Sequence, residues 1–190
     1  MKYKVMIIDG TNYFIRYFSA DKSLNAHGIP CGGLSGVLKG LKYLIKDYRP
    51  NEIIFVFDGK NNSSRKKKID ETYKKGRKMG YVDLLPQDNK DLFHKQLSML
   101  YNILNVLPVK FFSVDNIEAD DCIAYISHLY DKMSDDVEKY IISRDNDFYQ
   151  LINDNTFVID PTKKIVLDID KFSELYEMKP YNYHQDLFLK

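Results

Sequence analysis

Short, mostly apolar runs alternate along the chain with stretches in which apolar residues recur every three or four positions. Tyr3–Ile8 is the first run and predicts a strand. Leu34, Val37, Leu38, Leu41, Leu44, Ile45 and Tyr48 then keep helical spacing up to Pro50. Ile53–Phe57 predicts a second strand, and Leu92, Phe93, Leu97, Leu100, Ile103 and Leu104 a long amphipathic helix. Val109–Val114 predicts a third strand, Ala119–Tyr130 a helix, and Tyr140–Ile142 a fourth strand. Thr156–Asp160 and Ile165–Leu167 predict later strands about a turn at Lys163-Lys164, and two short helical stretches close the chain. Such alternation points to an α/β fold with a mostly parallel central sheet flanked by helices. The segment from Lys60 to about Asn89 fits no packed element, being polar, basic and without a clear period. So long an excursion in a compact domain is usually functional or disordered.

Composition bounds this picture. At 190 residues, 44% hydrophobic and 29% charged, the chain reads as one globular domain able to bury a core. No apolar run approaches the roughly 18 residues of a membrane helix. Val5-Met6-Ile7-Ile8 ends at Asp9, too soon for a secretory leader. Cys31 and Cys122 lie far apart without metal-ligand spacing, so both read as reduced thiols, with Cys122 in the core. The net charge of +1 hides an asymmetry: Lys60 to Lys78 carries nine Lys/Arg against Asp70 and Glu71, a balance of +7, and leaves −6 for the rest. A basic arm and an acidic site are the expectation, not a uniformly basic surface.

The acids fall where the strands end. The first, second and fourth predicted strands run into Asp9, Asp58 and the pair Asp145/Asp147, and the third is followed within four residues by Glu118-Ala119-Asp120-Asp121. Open α/β sheets bind ligands beyond the carboxyl ends of their strands, so a parallel sheet would gather all seven carboxylates on one rim. Acids so crowded need divalent cations, or several must protonate. Mg²⁺ prefers oxygen ligands and retains water, and two such ions about 4 Å apart serve in-line phosphoryl displacement. Singly, each acid has a plainer reading. Asp-Gly is a turn signal, Glu118-Ala-Asp-Asp suits the first turn of a helix, and Asp145 suits a cap. The basic segment adds Arg65-Lys66-Lys67-Lys68 and Tyr73-Lys74-Lys75-Gly76-Arg77-Lys78, charge suited to phosphates, with Tyr73 and Tyr81 as stacking platforms. Its plainer reading is a solvated loop.

These residues resemble a known family, the 5′-nuclease domain of bacterial DNA polymerase I together with phage 5′-exonucleases and flap endonucleases. Ile7-Ile8-Asp9-Gly10-Thr11-Asn12-Tyr13-Phe14-Ile15-Arg16 is similar to its opening motif, and Gly28-Ile-Pro-Cys-Gly32 with Gly36-Val-Leu to the segment that follows. Phe55-Val56-Phe57-Asp58-Gly59 resembles the second metal motif, and Arg65 with Tyr73-Lys74-Lys75-Gly76-Arg77 the family's arch or clamp pattern. Glu118-Ala119-Asp120-Asp121 is the most specific match, and Ser143-Arg144-Asp145-Asn146-Asp147 fits Ser/Thr-x-Asp-x-Asp. The resemblance implies a PIN-like 5′-nuclease fold with a basic helical arch or flexible loop over about residues 60–89. It also implies 5′→3′ exonuclease and flap endonuclease activity in replication and repair, in the cytoplasm of a bacterial or phage-infected cell. Asp9, Asp58, Glu118, Asp120, Asp121, Asp145 and Asp147 would hold two Mg²⁺ ions, with Mn²⁺ able to substitute. Lys74 and Arg77 would act on the scissile phosphate as electrostatic catalysts. Tyr13, Arg16, Arg65, Lys66, Tyr73, Lys75 and Lys78 would contact nucleic acid, DNA with 5′ ends or flaps or an RNA–DNA hybrid. Core packing is the alternative for Tyr13.

Two departures stand out. Arg144 replaces a small residue, leaving open whether it binds phosphate or pairs with an acid. The sequence also stops after Tyr183–Lys190, short of the family's Gly-Asp-x-x-Asp-Asn motif and the helix–hairpin region that grips duplex. A truncated or split form completed by a second polypeptide is one expectation, and weakened second-metal binding and duplex grip the other. Rival readings fit less of the chain. A PIN-type ribonuclease leaves the arch motif unexplained, a Toprim nuclease leaves Asp9 and Asp58 idle, and a haloacid dehalogenase phosphatase would need an acid at Ile7. A non-catalytic DNA-binding or partner subunit derived from a nuclease is the alternative of a different class.

Overall fold

The computed structural model describes residues 2–61, 81–134 and 136–180. Its strands are β1 (Tyr3–Asp9), β2 (Glu52–Asp58), β3 (Lys110–Val114), β4 (Val137–Ile142), β5 (Thr156–Asp160) and β6 (Ile165–Leu167). They form one sheet in the order β3-β2-β1-β4-β5-β6. All neighbouring pairs are parallel except β5 with β6, which turn back through the Lys163-Lys164 corner. The expected mostly parallel α/β sheet is therefore present, with β1 at its centre.

Both faces of the sheet are covered, which is why its central strands read as mostly apolar runs. Val5 and Ile7 of β1 point to one side, into a core with Ala119, Cys122, Ile123 and Ile126. Those four lie on helix α4 (Ala119–Met133), and Cys122 is core as expected. Met6 and Ile8 point to the other side, into a core shared by α1 (Gly10–Ala20), α2 (Gly32–Tyr48) and α3 (Gln87–Leu104). A last helix, α5 (Ile169–Tyr176), sets Phe172 into the first core. The second of the two expected closing helical stretches lies outside the described residues.

Helix α1 is an element the apolar pattern did not predict. It starts where β1 ends, because the Asp9 side chain caps it by accepting the Asn12 N–H at 3.1 Å. Tyr13 and Phe14 on one turn and Tyr17 and Phe18 on the next give it a buried face against α2. Gly36 and Gly40 of α2 make that approach possible. A Cβ at Gly36 would lie 2.4 Å from the Tyr17 ring, and one at Gly40 would lie 2.1 Å from the Tyr17 hydroxyl. Helix α3 starts at Gln87, just after Pro86 and ahead of the predicted Leu92, so the aperiodic segment ends slightly earlier than its composition suggests.

Candidate metal centre

Because β1, β2, β3 and β4 run the same way, their carboxyl ends share one rim of the sheet. Asp9 is the last residue of β1 and is 8% exposed. Its Oδ1 caps α1, and its Oδ2 accepts a hydrogen bond from the Ser143 hydroxyl at 3.1 Å. Burial pushes the Asp9 carboxyl up to about 7; the hydrogen bonds from Asn12 and Ser143 oppose the shift, and the charges of Asp58 and Asp145 add to it.

Asp58 ends β2, and its position is fixed from two sides. Its backbone N–H donates to Thr11 Oγ1 at 3.0 Å, and its Oδ1 accepts the Ala119 N–H at 3.1 Å. The second bond ties Asp58 to the first turn of α4, where Glu118, Asp120 and Asp121 stand. The positive end of a helix dipole favours acids there. Glu118 is 5% exposed, Asp120 half-buried and Asp121 exposed. Among the described residues these three form a group whose carboxylate oxygens can lie within 4.8 Å of one another, close enough to share one ion.

The fourth strand end completes the rim. Ser143, 3% exposed, follows β4 and holds two acids at once. Its Oγ donates to Asp9 and accepts the Asp145 N–H at 3.1 Å. Asp145 in turn caps the 3-10 helix Asn146–Leu151 by accepting the Asp147 N–H at 3.0 Å. Asp147, Asp120 and Asp121 then line one cavity of about 270 Å³ with Ala124, Phe148, Gln150 and Leu151. The seven predicted acids thus stand at or just past four strand ends. Glu118, Asp120 and Asp121 are the group close enough to share one ion, while Ser143 links Asp9 to Asp145 and the Ala119 N–H holds Asp58 beside α4. Thr11 and Ser143 are the positioning residues that the sequence reading left without a role. Ser143 stands 134 positions from its partner Asp9, a distance no local pattern bridges.

Tyr13 is 2% exposed and packs into the core, with its hydroxyl 3.5 Å from that of Tyr17, and it borders the groove that Arg16 lines. The Arg16 guanidinium stacks over the Tyr17 ring at 4.7 Å and donates to the Pro161 carbonyl at 2.9 Å. It lines a groove with Tyr43, Tyr48 and Lys164. Lys74, Arg77, Arg65, Lys66, Tyr73, Lys75 and Lys78 lie outside the described residues.

The donor set is oxygen throughout, which suits hard divalent cations such as Mg²⁺ or Mn²⁺ and not soft metals. Burial first, and then the charges of Asp58 and Asp145, disfavour ionisation of Asp9, a cost that a bound cation would relieve. Residues 4–177 match the family model described as 5′-3′ exonuclease, N-terminal resolvase-like domain. The chain belongs to this family. The 5′-3′ exonuclease of Buchnera aphidicola from Acyrthosiphon pisum is 30% identical over 178 residues, covering 93% of this chain and 58% of that protein. The thermostable DNA polymerase I of Thermus thermophilus is 29% identical over 180 residues, 94% of this chain and 20% of the polymerase. The chain thus spans somewhat over half the length of the exonuclease it matches. In three dimensions it is similar to the bacteriophage T5 flap endonuclease, solved as a pseudo-enzyme–product complex with DNA and metal ions. There the TM-score is 0.67 with 20% identity, over 94% of this chain and 62% of that one. Among the described residues no helix is long and apolar enough to cross a membrane.

Proposed function

We propose that this chain is the catalytic part of a divalent-metal-dependent 5′-nuclease, a 5′→3′ exonuclease and flap endonuclease hydrolysing phosphodiester bonds of DNA in replication and repair. One observation carries the reading: carboxylates from four strand ends stand on a single rim around the buried Asp9. Membership of the exonuclease family supports it, as does the likeness to a flap endonuclease solved with DNA and metal ions. Asp9, Asp58, Glu118, Asp120, Asp121, Asp145 and Asp147 hold two Mg²⁺ ions, for which Mn²⁺ can substitute. When bound, such cations supply an activated water and neutralise charge on the phosphate being cleaved. The chain's own residues do the placing. Ser143 orients Asp9 and Asp145, and the Thr11 and Ala119 contacts hold Asp58 between α1 and α4. Lys74 and Arg77 stabilise the developing phosphate charge, while Arg65, Lys66, Tyr73, Lys75 and Lys78 draw in the backbone of the strand. The family's bacterial members and the two free thiols favour a cytoplasmic setting.

The test is cleavage of 5′-flap DNA, single-stranded DNA and an RNA–DNA hybrid in Mg²⁺ or EDTA, with and without the relatives' C-terminal region as a separate polypeptide. Cutting of flap DNA in Mg²⁺ that ceases in EDTA is expected. Cutting that persists in EDTA removes the metal reading, and binding without cutting on any substrate favours a non-catalytic role. Dependence on the added fragment would identify the second polypeptide as a requirement. Lys74→Ala should slow turnover by about 10²–10³-fold while weakening binding far less.

A further inference from the structure

Arg144 is a cation set among acids, and the structure bears on the choice its sequence context left open. It is the second residue past β4, between Ser143 and Asp145. Its backbone is pinned on both sides. Ser143 is buried and bonded to Asp9, and the Asp145 N–H returns to the same Ser143 hydroxyl. The Arg144 side chain is nevertheless exposed, and among the described residues it enters no ion pair or hydrogen bond. An exposed guanidinium gains little from a neighbouring carboxylate in water, at most about 1 kcal/mol. Cations held on the acids would weaken even that attraction. A phosphate diester is then its best partner, because the planar fork of donors matches phosphate oxygens in pairs.

We infer that Arg144 contacts a backbone phosphate of the bound nucleic acid beside the acidic rim, positioning the strand over the site without acting on the reacting atoms. This rests on the nuclease reading above. The direct test is equilibrium binding of labelled 5′-flap DNA to the full chain by fluorescence anisotropy. Ca²⁺ is used to suppress cleavage, and affinity is followed against salt. Arg144→Ala should weaken binding about tenfold or more, and should flatten the slope of log affinity against log salt by about 0.7–0.9, the value of one phosphate contact. Arg144→Lys should keep the slope and recover only part of the affinity, since it retains charge without the fork. In Mg²⁺ the loss should fall on KM more than on kcat. Arg144→Gln, checked with Arg144→Ala by circular dichroism, guards against a folding defect and should lose the same slope. Unchanged affinity and slope in both neutral variants would overturn the inference and leave Arg144 as a companion of the acids. A wild-type chain that binds no DNA even with the relatives' C-terminal region added would instead overturn the nuclease reading, and this inference with it.

Discussion

The two ends of the sheet treat carboxylates in opposite ways. At the amino ends of the strands, Glu52 opens β2 and accepts hydrogen bonds from Lys110 of β3 and from the Tyr130 hydroxyl at 2.8 Å. Nearby, the buried Lys139 of β4 is paired with Asp131 of α4. Burial alone would raise the Glu52 carboxyl, but Lys110, Tyr130 and Tyr3 outweigh it and hold it below its ordinary range. At the carboxyl ends, Asp9 is buried beside Asp58 and Asp145, and its carboxyl is pushed up to about 7. One fold therefore contains an acid that stabilises the protein and an acid whose ionisation works against it. A group kept in its less comfortable state points to a ligand, whereas a satisfied one points to architecture.

The largest effect should come from breaking the uncomfortable end. Asp9→Asn should cut phosphodiester cleavage by at least about 10²–10³-fold, measured on 5′-flap DNA in Mg²⁺. It should leave the metal-free protein as stable at neutral pH as the parent or more so, in thermal melts, because the amide carries no charge to bury. The pH dependence sharpens the contrast. The folded-state Asp9 value lies above the unfolded 3.8, so the metal-free fold binds the extra proton between about 4 and 7. The Asp9 contribution to stability is full below that window and is lost as pH rises through it. Glu52 has the opposite sign: its contribution is present above 4.5 and is lost as pH falls through its lowered value. Melts in EDTA should show Asp9→Asn flattening the loss between pH 4 and 7, and Glu52→Gln flattening the loss at more acid pH.

A smaller effect should follow from loosening the rim without removing a carboxylate. Ser143→Ala takes away the hydroxyl that Asp9 and Asp145 share and should lower metal affinity or turnover by about 10–100-fold, with Mn²⁺ titration as the readout. The smallest functional effect should lie at the opposite end. Glu52→Gln should destabilise the chain by about 1–2 kcal/mol in denaturant melts, and it should leave cleavage unchanged. Loss of cleavage there would erase the distinction between the two ends.

Much of this arrangement is written in local sequence. The apolar stretches Val5–Ile8 of β1, Ile53–Phe57 of β2 and Tyr140–Ile142 of β4 are legible because helices cover both faces, and each stops at the residue that carries a rim acid or its serine. The Glu118-Ala-Asp-Asp cluster is legible because it opens a helix whose apolar spacing is clear. Other features depend on distance in three dimensions. Helix α1 is short, and its Tyr13, Phe14, Tyr17 and Phe18 follow an Asp-Gly that reads as a turn until Asp9 is seen to cap it. Tyr13 reads equally as a nucleic-acid contact or as core, and its packing in the core shared with α2 is visible only in three dimensions. Ser143 and Thr11 matter through partners 134 and 47 positions away. The Glu52, Lys110 and Tyr130 cluster likewise joins three elements that no spacing rule connects.

The central claim is that the acidic rim with Asp9 at its heart holds divalent cations. Calorimetric titration of the full chain with Mn²⁺ near pH 7, repeated in two buffers of different ionisation enthalpy, tests it most directly. The account predicts binding accompanied by proton release, because Asp9 is partly protonated at that pH and must ionise to take an ion. The release should vanish, and affinity fall, in Asp9→Asn. Absence of binding, or binding that neither releases protons nor responds to Asp9→Asn, would contradict it.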